Sequence, residues 1–171
     1  MMELSDEVRD AASKVKLLLM DCDGVLTDGS LYFTAQGETM KVFNVRDGQG
    51  IVMWHTAGGR SGIISGRDAR AIVEARARDL GIQYVRTASA DKVADLQEIL
   101  ADAGVIAEET AFVGDDIGDL PVMGLVGLPI AVADAAEPVR NAAKYVTQAV
   151  GGRGAVREVT DLLISAQRSG D

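Results

Sequence analysis

Asp21 and Asp23 stand one residue apart directly after the apolar run Leu17-Leu18-Leu19-Met20, and Gly24 follows them. Such a run suits a strand covered on both faces, as in a parallel sheet flanked by helices. Carboxylates carried to the end of a buried strand are costly unless something positive meets them. Three other features fall in the same kind of place: Ser65 after Ser61-Gly62-Ile63-Ile64, Lys92 shortly past Ile82-Gln83-Tyr84-Val85, and Asp115, Asp116 and Asp119 after Ala111-Phe112-Val113. Strand ends on one edge of a parallel sheet converge, so residues far apart in the chain can meet there. Acids with oxygen-only chemistry around them suit a hard ion such as Mg2+, which leaves room for phosphate oxygens and water. With the metal and Lys92 neutralising a phosphate, Asp21 can attack phosphorus and Asp23 can protonate the leaving alkoxide, then take a proton from the hydrolytic water. Ser65 and nearby backbone N–H groups, those around Gly24 and Gly66 included, would hold the equatorial oxygens.

Each of these residues alone has an ordinary reading: Lys92 as a solvated helix residue, Ser65 as a cap, the acid pair as a wet loop. Their shared position at strand ends gives them weight. Arg46, Arg67 and Arg153 are candidate contacts to an anionic substrate. Cys22 reads as a small core residue, because a cysteine-phosphatase loop would need an arginine six positions on, where Asp28 stands. His55 reads as a structural or exposed helix residue. A phosphate-accepting receiver domain would carry its acceptor at the end of the third strand, and Tyr84 to Ala90 contains no acid.

The elements that must position these groups follow from pattern. Ser5 to Ser13, low in apolar content and without a strong cap at either end, reads as either a short leading helix or a mobile stretch. After the first strand, Ser30 to Thr34 and Glu38 to Phe43 flank Ala35-Gln36-Gly37 and read as a hairpin insertion over about residues 29–43. Tyr32, Phe33 and Phe43 are half of the chain's Tyr and Phe residues, so the hairpin should pack against something beyond itself, a subunit interface being one option. Helices are expected over Gly48 to Ala57, Asp68 to Leu80, Asp91 to Ala103, Leu120 to Val126 and Ala136 to Ala143, several closed by glycine. Strands fall between them at Ser61 to Ile64, Ile82 to Val85, Ala111 to Val113, Ile130 to Val132 and Tyr145 to Thr147. A glycine-arginine loop at 151–158 precedes a last helix bearing Val159, Leu162, Leu163 and Ala166. Alternating strands and helices predict an α/β, doubly wound, mostly parallel Rossmann-like sheet with right-handed crossovers.

The chain has 171 residues, enough for one domain over 1–171, and its net charge of −9 argues against general affinity for nucleic acid or anionic membrane. No apolar run approaches the length of a membrane span, and Met1 to Lys16 has no signal-peptide core, so a cytoplasmic protein is expected. One cysteine and one histidine exclude an internal disulfide and a Cys/His zinc site.

The four features in order resemble the motifs of the haloacid dehalogenase superfamily of aspartate-nucleophile phosphatases. Asp21-Cys22-Asp23-Gly24-Val25-Leu26-Thr27-Asp28 is similar to its first motif, Ser65 to its second, Lys92 to its third, and Gly114-Asp115-Asp116-Ile117-Gly118-Asp119 to its fourth. Within the superfamily, Phe43 to Gly48, Val126-Gly127-Leu128, Ala131 to Ala135 and Gly151 to Glu158 resemble phosphatases of small keto-deoxy sugar-acid phosphates. The resemblance implies a member without a cap domain and Mg2+ held by the Asp21 carboxylate, the Asp23 backbone carbonyl and Asp115, with Asp116 and Asp119 as supporting acids. It also implies a homotetramer, with the hairpin at subunit contacts and the glycine-arginine tail reaching a neighbouring active site. The implied substrate is the phosphate of an eight-carbon keto-deoxy sugar acid, with a nine-carbon analogue or a catalytically silent assembly module as alternatives. Two departures stand out: Cys22 where a larger apolar or β-branched residue is usual, and Arg86-Thr87-Ala88 where the turn before the lysine usually contains glycine.

Overall fold

The unbroken apolar run forms the centre of the sheet. In the structure, a computed structural model that describes residues 5–168, β1 (Leu17–Met20) is buried along its whole length. It pairs in parallel with β4 (Arg60–Ile64) on one side and β6 (Thr110–Gly114) on the other, Leu19 lying opposite both Gly62 and Phe112. The sheet continues through β5 (Tyr84–Arg86) beyond β4, and through β7 (Leu128–Ala131) and β8 (Tyr145–Val146) beyond β6, giving the parallel order β5-β4-β1-β6-β7-β8. The chain moves outward one way from β1 and returns to build the other half from β6. The gap between β1 and β6 is therefore the switch point at which open α/β sheets bind ligands.

Right-handed crossovers put α2 (Val45–Thr56) and α3 (Arg70–Leu80) on one face, and α4 (Lys92–Ala103), α5 (Leu120–Met123) and α6 (Glu137–Ala142) on the other. The leading α1 (Asp6–Lys14) and the final α7 (Ala155–Arg168) join the first face, α7 packing on both α1 and α2. Val156, Val159 and Leu163 give α7 its buried stripe. Capping follows the local chemistry: the Asp91 carboxylate accepts from the N–H groups of Val93 (2.9 Å) and Ala94 (3.1 Å), and Gly81 and Gly104 end α3 and α4 in left-handed conformations.

The expected hairpin forms as β2 (Tyr32–Thr34) and β3 (Gly37–Met40), an isolated antiparallel pair shorter than the sequence suggested. Two helix starts also differ from expectation. α2 begins three residues early because Asn44 caps it, its side-chain oxygen accepting from the Arg46 N–H at 2.8 Å. α7 begins at Ala155, so the stretch expected as a loop over 151–158 is only a turn, 151–154, followed by helix. The short helix expected over Leu120 to Val126 is α5, shorter at its end and preceded by a 3-10 turn over Ile117–Asp119. Residues 1–4 and 169–171 of the expected 1–171 span lie outside the described residues.

The glycine turn is not a free tail within this chain. The Gly152 N–H donates to the Val25 carbonyl at 2.9 Å, and a Cβ on Gly151 would lie 1.7 Å from the Gly24 carbonyl oxygen. Asn44 donates to the Gly152 carbonyl at 3.3 Å. Asp47, buried at the start of α2, accepts from the N–H groups of Gly154 (3.1 Å) and Arg157 (2.8 Å). Two of the four segments that gave the closer sequence likeness, 43–48 and 151–158, thus form one brace behind the first acidic loop.

Candidate active site

Four chain segments meet at the carboxyl edge of β4, β1 and β6. Asp21 follows β1, held by its own N–H to the Val113 carbonyl of β6 at 3.0 Å. Ser65 follows β4, Lys92 opens α4 after β5, and Asp115, Asp116 and Asp119 follow β6. The cleft they line, about 360 Å³, also takes in Asp23, Gly24, Gly29, Leu31, Gly66, Arg67 and Gly118.

Lys92 ties the site together, its Nζ donating to Asp21 Oδ2 at 2.9 Å and to Asp119 Oδ1 at 2.8 Å. Burial alone would lower the Lys92 ammonium, but the charges of Asp21 and Asp119 outweigh it and raise its pKa, so the lysine stays charged. Asp119 spends its other oxygen on the N–H groups of Asp115 (3.0 Å) and Asp116 (3.3 Å). Asp119 therefore fixes the loop and the lysine. Asp116 caps the 3-10 turn through the Ile117 N–H at 2.8 Å.

Asp115 is placed differently. Its Oδ1 is buried and has no hydrogen-bond partner. A Cβ on Gly24, whose φ is +83°, would come within 2.0 Å of Asp115 Oδ2, so only glycine lets the first loop lie against this carboxylate. Carboxylate oxygens of Asp21, Asp115 and Asp119 lie within 4.8 Å of one another. Burial, reinforced by Asp119 and opposed by Lys92, pushes Asp21 up to about 6. Burial and the charges of Asp21, Asp119 and Asp116 push Asp115 up to about 7. One lysine does not balance this cluster, and an orphaned buried carboxylate oxygen beside two other acids is what a hard divalent cation would satisfy.

Ser65 is buried at the cleft wall, and its Oγ accepts from the Arg67 N–H at 3.4 Å. The turn carrying Lys92 is tied to the same strand end by Ala88 N–H to the Arg67 carbonyl (3.1 Å) and Ser89 N–H to the Ser65 carbonyl (3.0 Å). Among the described residues, Ala88 is the non-glycine residue with positive φ, at 54°. The turn expected to contain glycine keeps a left-handed backbone here with alanine in its place. Ala88→Gly should therefore stabilise the protein by about 0.5–1 kcal/mol, the left-handed penalty of alanine less the extra unfolded entropy of glycine. That is a rise of roughly 1–4 °C in a thermal melt.

The arginines separate. Arg67 lines the cleft, whereas Arg46 is exposed in the first turn of α2 and Arg153 is exposed and paired with Asp28 at 3.3 Å, neither lining this chain's cleft. Cys22 is fully buried and its thiol is pushed up by burial and then by Asp23, an inert core residue. His55 bonds Ser61 Oγ at 2.7 Å behind the sheet edge, away from the cleft lining.

Sequence reasoning missed the hairpin's contribution. Lys41 and Glu38 point inward, Lys41 Nζ bonding both Asp23 Oδ1 and Glu38 Oε1. Their spacing of three in a short exposed hairpin carried no sign of which way they face.

The motif pattern of the haloacid dehalogenase-like hydrolases matches residues 62–158. The chain is also 46% identical over 164 residues to the 3-deoxy-D-manno-octulosonate 8-phosphate phosphatase KdsC of Yersinia pestis, covering 96% of this chain and 87% of that one. The chain belongs to the haloacid dehalogenase-like hydrolases. Within that family, the crystal structure of the Y. pestis phosphatase superposes with a TM-score of 0.92 at 46% identity, over 95% of this chain and 88% of that one. The phosphatase of the same name from Moraxella catarrhalis, solved with a magnesium ion, a phosphate ion and a KDO molecule, superposes at 0.91 with 35% identity over 96% and 94% of the two chains.

Proposed function

We propose that this haloacid dehalogenase-like hydrolase is a Mg2+-dependent phosphomonoesterase that converts 3-deoxy-D-manno-octulosonate 8-phosphate to the free sugar acid and phosphate, a step of lipopolysaccharide precursor synthesis. The observation that carries the reading is the Asp21–Lys92–Asp119 bridge beside the partnerless Asp115 oxygen, at the switch point of the sheet. Asp21, the Asp23 backbone carbonyl and Asp115 would hold Mg2+, which when bound supplies positive charge to the phosphate oxygens.

The chain's own residues account for the rest. Lys92 and the Cys22 N–H, 2.9 and 2.6 Å from the two oxygens of Asp21, fix that carboxylate in one orientation for attack. An Asp21 oxygen bonds to phosphorus as the bond from phosphorus to the sugar oxygen breaks. The bond's electron pair goes to the sugar oxygen, which takes the Asp23 proton. Water then attacks the aspartyl phosphate, returns a proton to Asp23, and the electron pair of the Asp21–phosphorus bond goes back to the carboxylate. Ser65 and the N–H groups around Gly24 and Gly66 would bind the phosphate oxygens, and Arg67, which lines the cleft, would meet the carboxylate of a sugar acid.

The exposed apolar residues of the hairpin and the segment after it, Phe33 at 62%, Met40 at 49%, Val42 at 50% and Val45 at 80% exposure, support a homotetramer built through this face. Arg46 and Arg153 lie outside the cleft of their own chain, so any substrate contact they make would be across such an interface. No helix among the described residues is long and apolar enough to cross a membrane.

The test is phosphate release from the eight-carbon acid phosphate, its nine-carbon analogue and simple sugar phosphates, with Mg2+ and with chelator. The eight-carbon substrate should be hydrolysed with the highest kcat/KM, and chelator should abolish release. Preference for the nine-carbon acid would overturn the substrate, and chelator-insensitive release would overturn the metal.

A further inference from the structure

The hairpin looks apolar from outside, but its inner side carries a lysine whose side chain has no exposure at all. Burying a lysine ammonium is costly, and it is tolerated only where fixed acids meet it. Lys41 Nζ bonds Asp23 Oδ1 and, at 2.7 Å, Glu38 Oε1. Glu38, itself nearly buried, accepts from Arg67 on its other oxygen at 3.2 Å. Burial would raise the Glu38 carboxyl, but the hydrogen bonds from Lys41 and Arg67 outweigh it and hold it below its ordinary value. Two cations, Lys41 and Arg67, thus meet two carboxylates, Asp23 and Glu38, on the inner side of the hairpin.

The two oxygens of Asp23 are not equivalent. Oδ1 is taken by Lys41, whereas Oδ2 is buried and, among the described residues, has no hydrogen bond and only the Arg67 Nε near it, 3.7 Å away and also without one. Rotation about the bond to an Asp carboxylate is soft and roughly two-fold. A firm donor on one oxygen removes that freedom and leaves the other with a fixed direction.

We propose that Lys41 is a positioning residue that pins the Asp23 carboxylate through Oδ1, so that Asp23 is held in one orientation for its exchange of a proton with the leaving sugar oxygen and then with water. The inference rests on the reading of Asp23 as the proton carrier. Glu38 holds the lysine in place from the same hairpin, which makes this insertion part of the catalytic apparatus as well as a surface.

Leaving-group chemistry supplies the test. A sugar alkoxide needs a proton as it departs, while p-nitrophenolate leaves as a stable anion, and kcat/KM for either substrate reports only steps up to the first bond cleavage. Lys41→Met should lower kcat/KM for the eight-carbon sugar-acid phosphate about 10²-fold, and lower it at least tenfold less for p-nitrophenyl phosphate. Combining it with Asp23→Asn should add little to the loss caused by Asp23→Asn alone. Lys41→Arg should recover part of the selectivity. The charge-balanced Glu38→Gln/Lys41→Met variant should show the same selective loss, which keeps the test valid if Lys41→Met folds poorly. Equal losses on both substrates, or losses that add fully to those of Asp23→Asn, would overturn the positioning role. If Asp23→Asn itself shows no selective loss, the proton-carrier assignment fails and this proposal with it.

Discussion

Asp21→Asn is expected to lower turnover of the sugar-acid phosphate by on the order of 10⁵-fold, since removal of a nucleophile that acts in concert with its neighbours costs about as much as removing the whole group. The variant should fold as well as the parent or better. The buried, like-charged surroundings that push Asp21 up to about 6 disfavour its ionised form, and a neutral amide removes that penalty. Stability measured against pH in chelator gives the sign. The unfolded chain releases these protons near 3.8, whereas the folded protein keeps them on Asp21 up to about pH 6 and on Asp115 up to about pH 7. Between those limits the folded state binds more protons, so stability falls as pH rises through the window. Asp21→Asn should flatten that fall. A variant that retains turnover within tenfold would remove Asp21 as nucleophile, and one that is less stable than the parent at pH 7.5 in chelator would remove the electrostatic account.

The opposite signs expected for activity and stability show why the motif residues were readable before the structure. A buried apolar strand that ends in acids conflicts with stability, and such local conflicts mark functional positions. Asp21, Lys92 and the acids after β6 were legible because each follows a strand whose pattern is strong, and parallel topology then brings them to one edge. The helix starts at Val45 and Ala155 were not, because both depend on partners from elsewhere: Asn44 caps one while reaching Gly152, and Asp47 of the first helix receives the N–H groups at the start of the second. The direction of Lys41 and Glu38 was hidden for the same reason. A two-stranded hairpin has no second sheet to set its inner face, and only Asp23 and Arg67, supplied by other strand ends, give those charges somewhere to go. Arg46, Arg67 and Arg153 could not be ranked from sequence, since an arginine on a loop and one on a cleft wall have the same local pattern.

The charge arithmetic around Lys92 yields the second large effect. Lys92→Met should lower turnover by at least about 10³-fold, because the cation that the proposed reaction uses to orient Asp21 and to meet the phosphate is gone. Unlike Asp21→Asn, it should also destabilise the metal-free protein. Among the described residues, Lys92 is the single cation within bonding distance of Asp21 and Asp119, at 2.9 and 2.8 Å, and removing one partner of a buried ion pair costs about 3 kcal/mol or more. At pH 7.5 in chelator the melting temperature should fall by roughly 6–12 °C. Three treatments should each return much of that loss, since each lowers the negative charge left in the cleft: adding Mg2+, lowering the pH to 5 so that Asp21 and Asp115 take up protons, and adding Asp21→Asn in the same chain. None should restore turnover. A loss of stability that ignores metal, pH and the second substitution alike would make Lys92 a packing residue at the head of α4, because only an electrostatic role couples its removal to the protonation of Asp21 and Asp115.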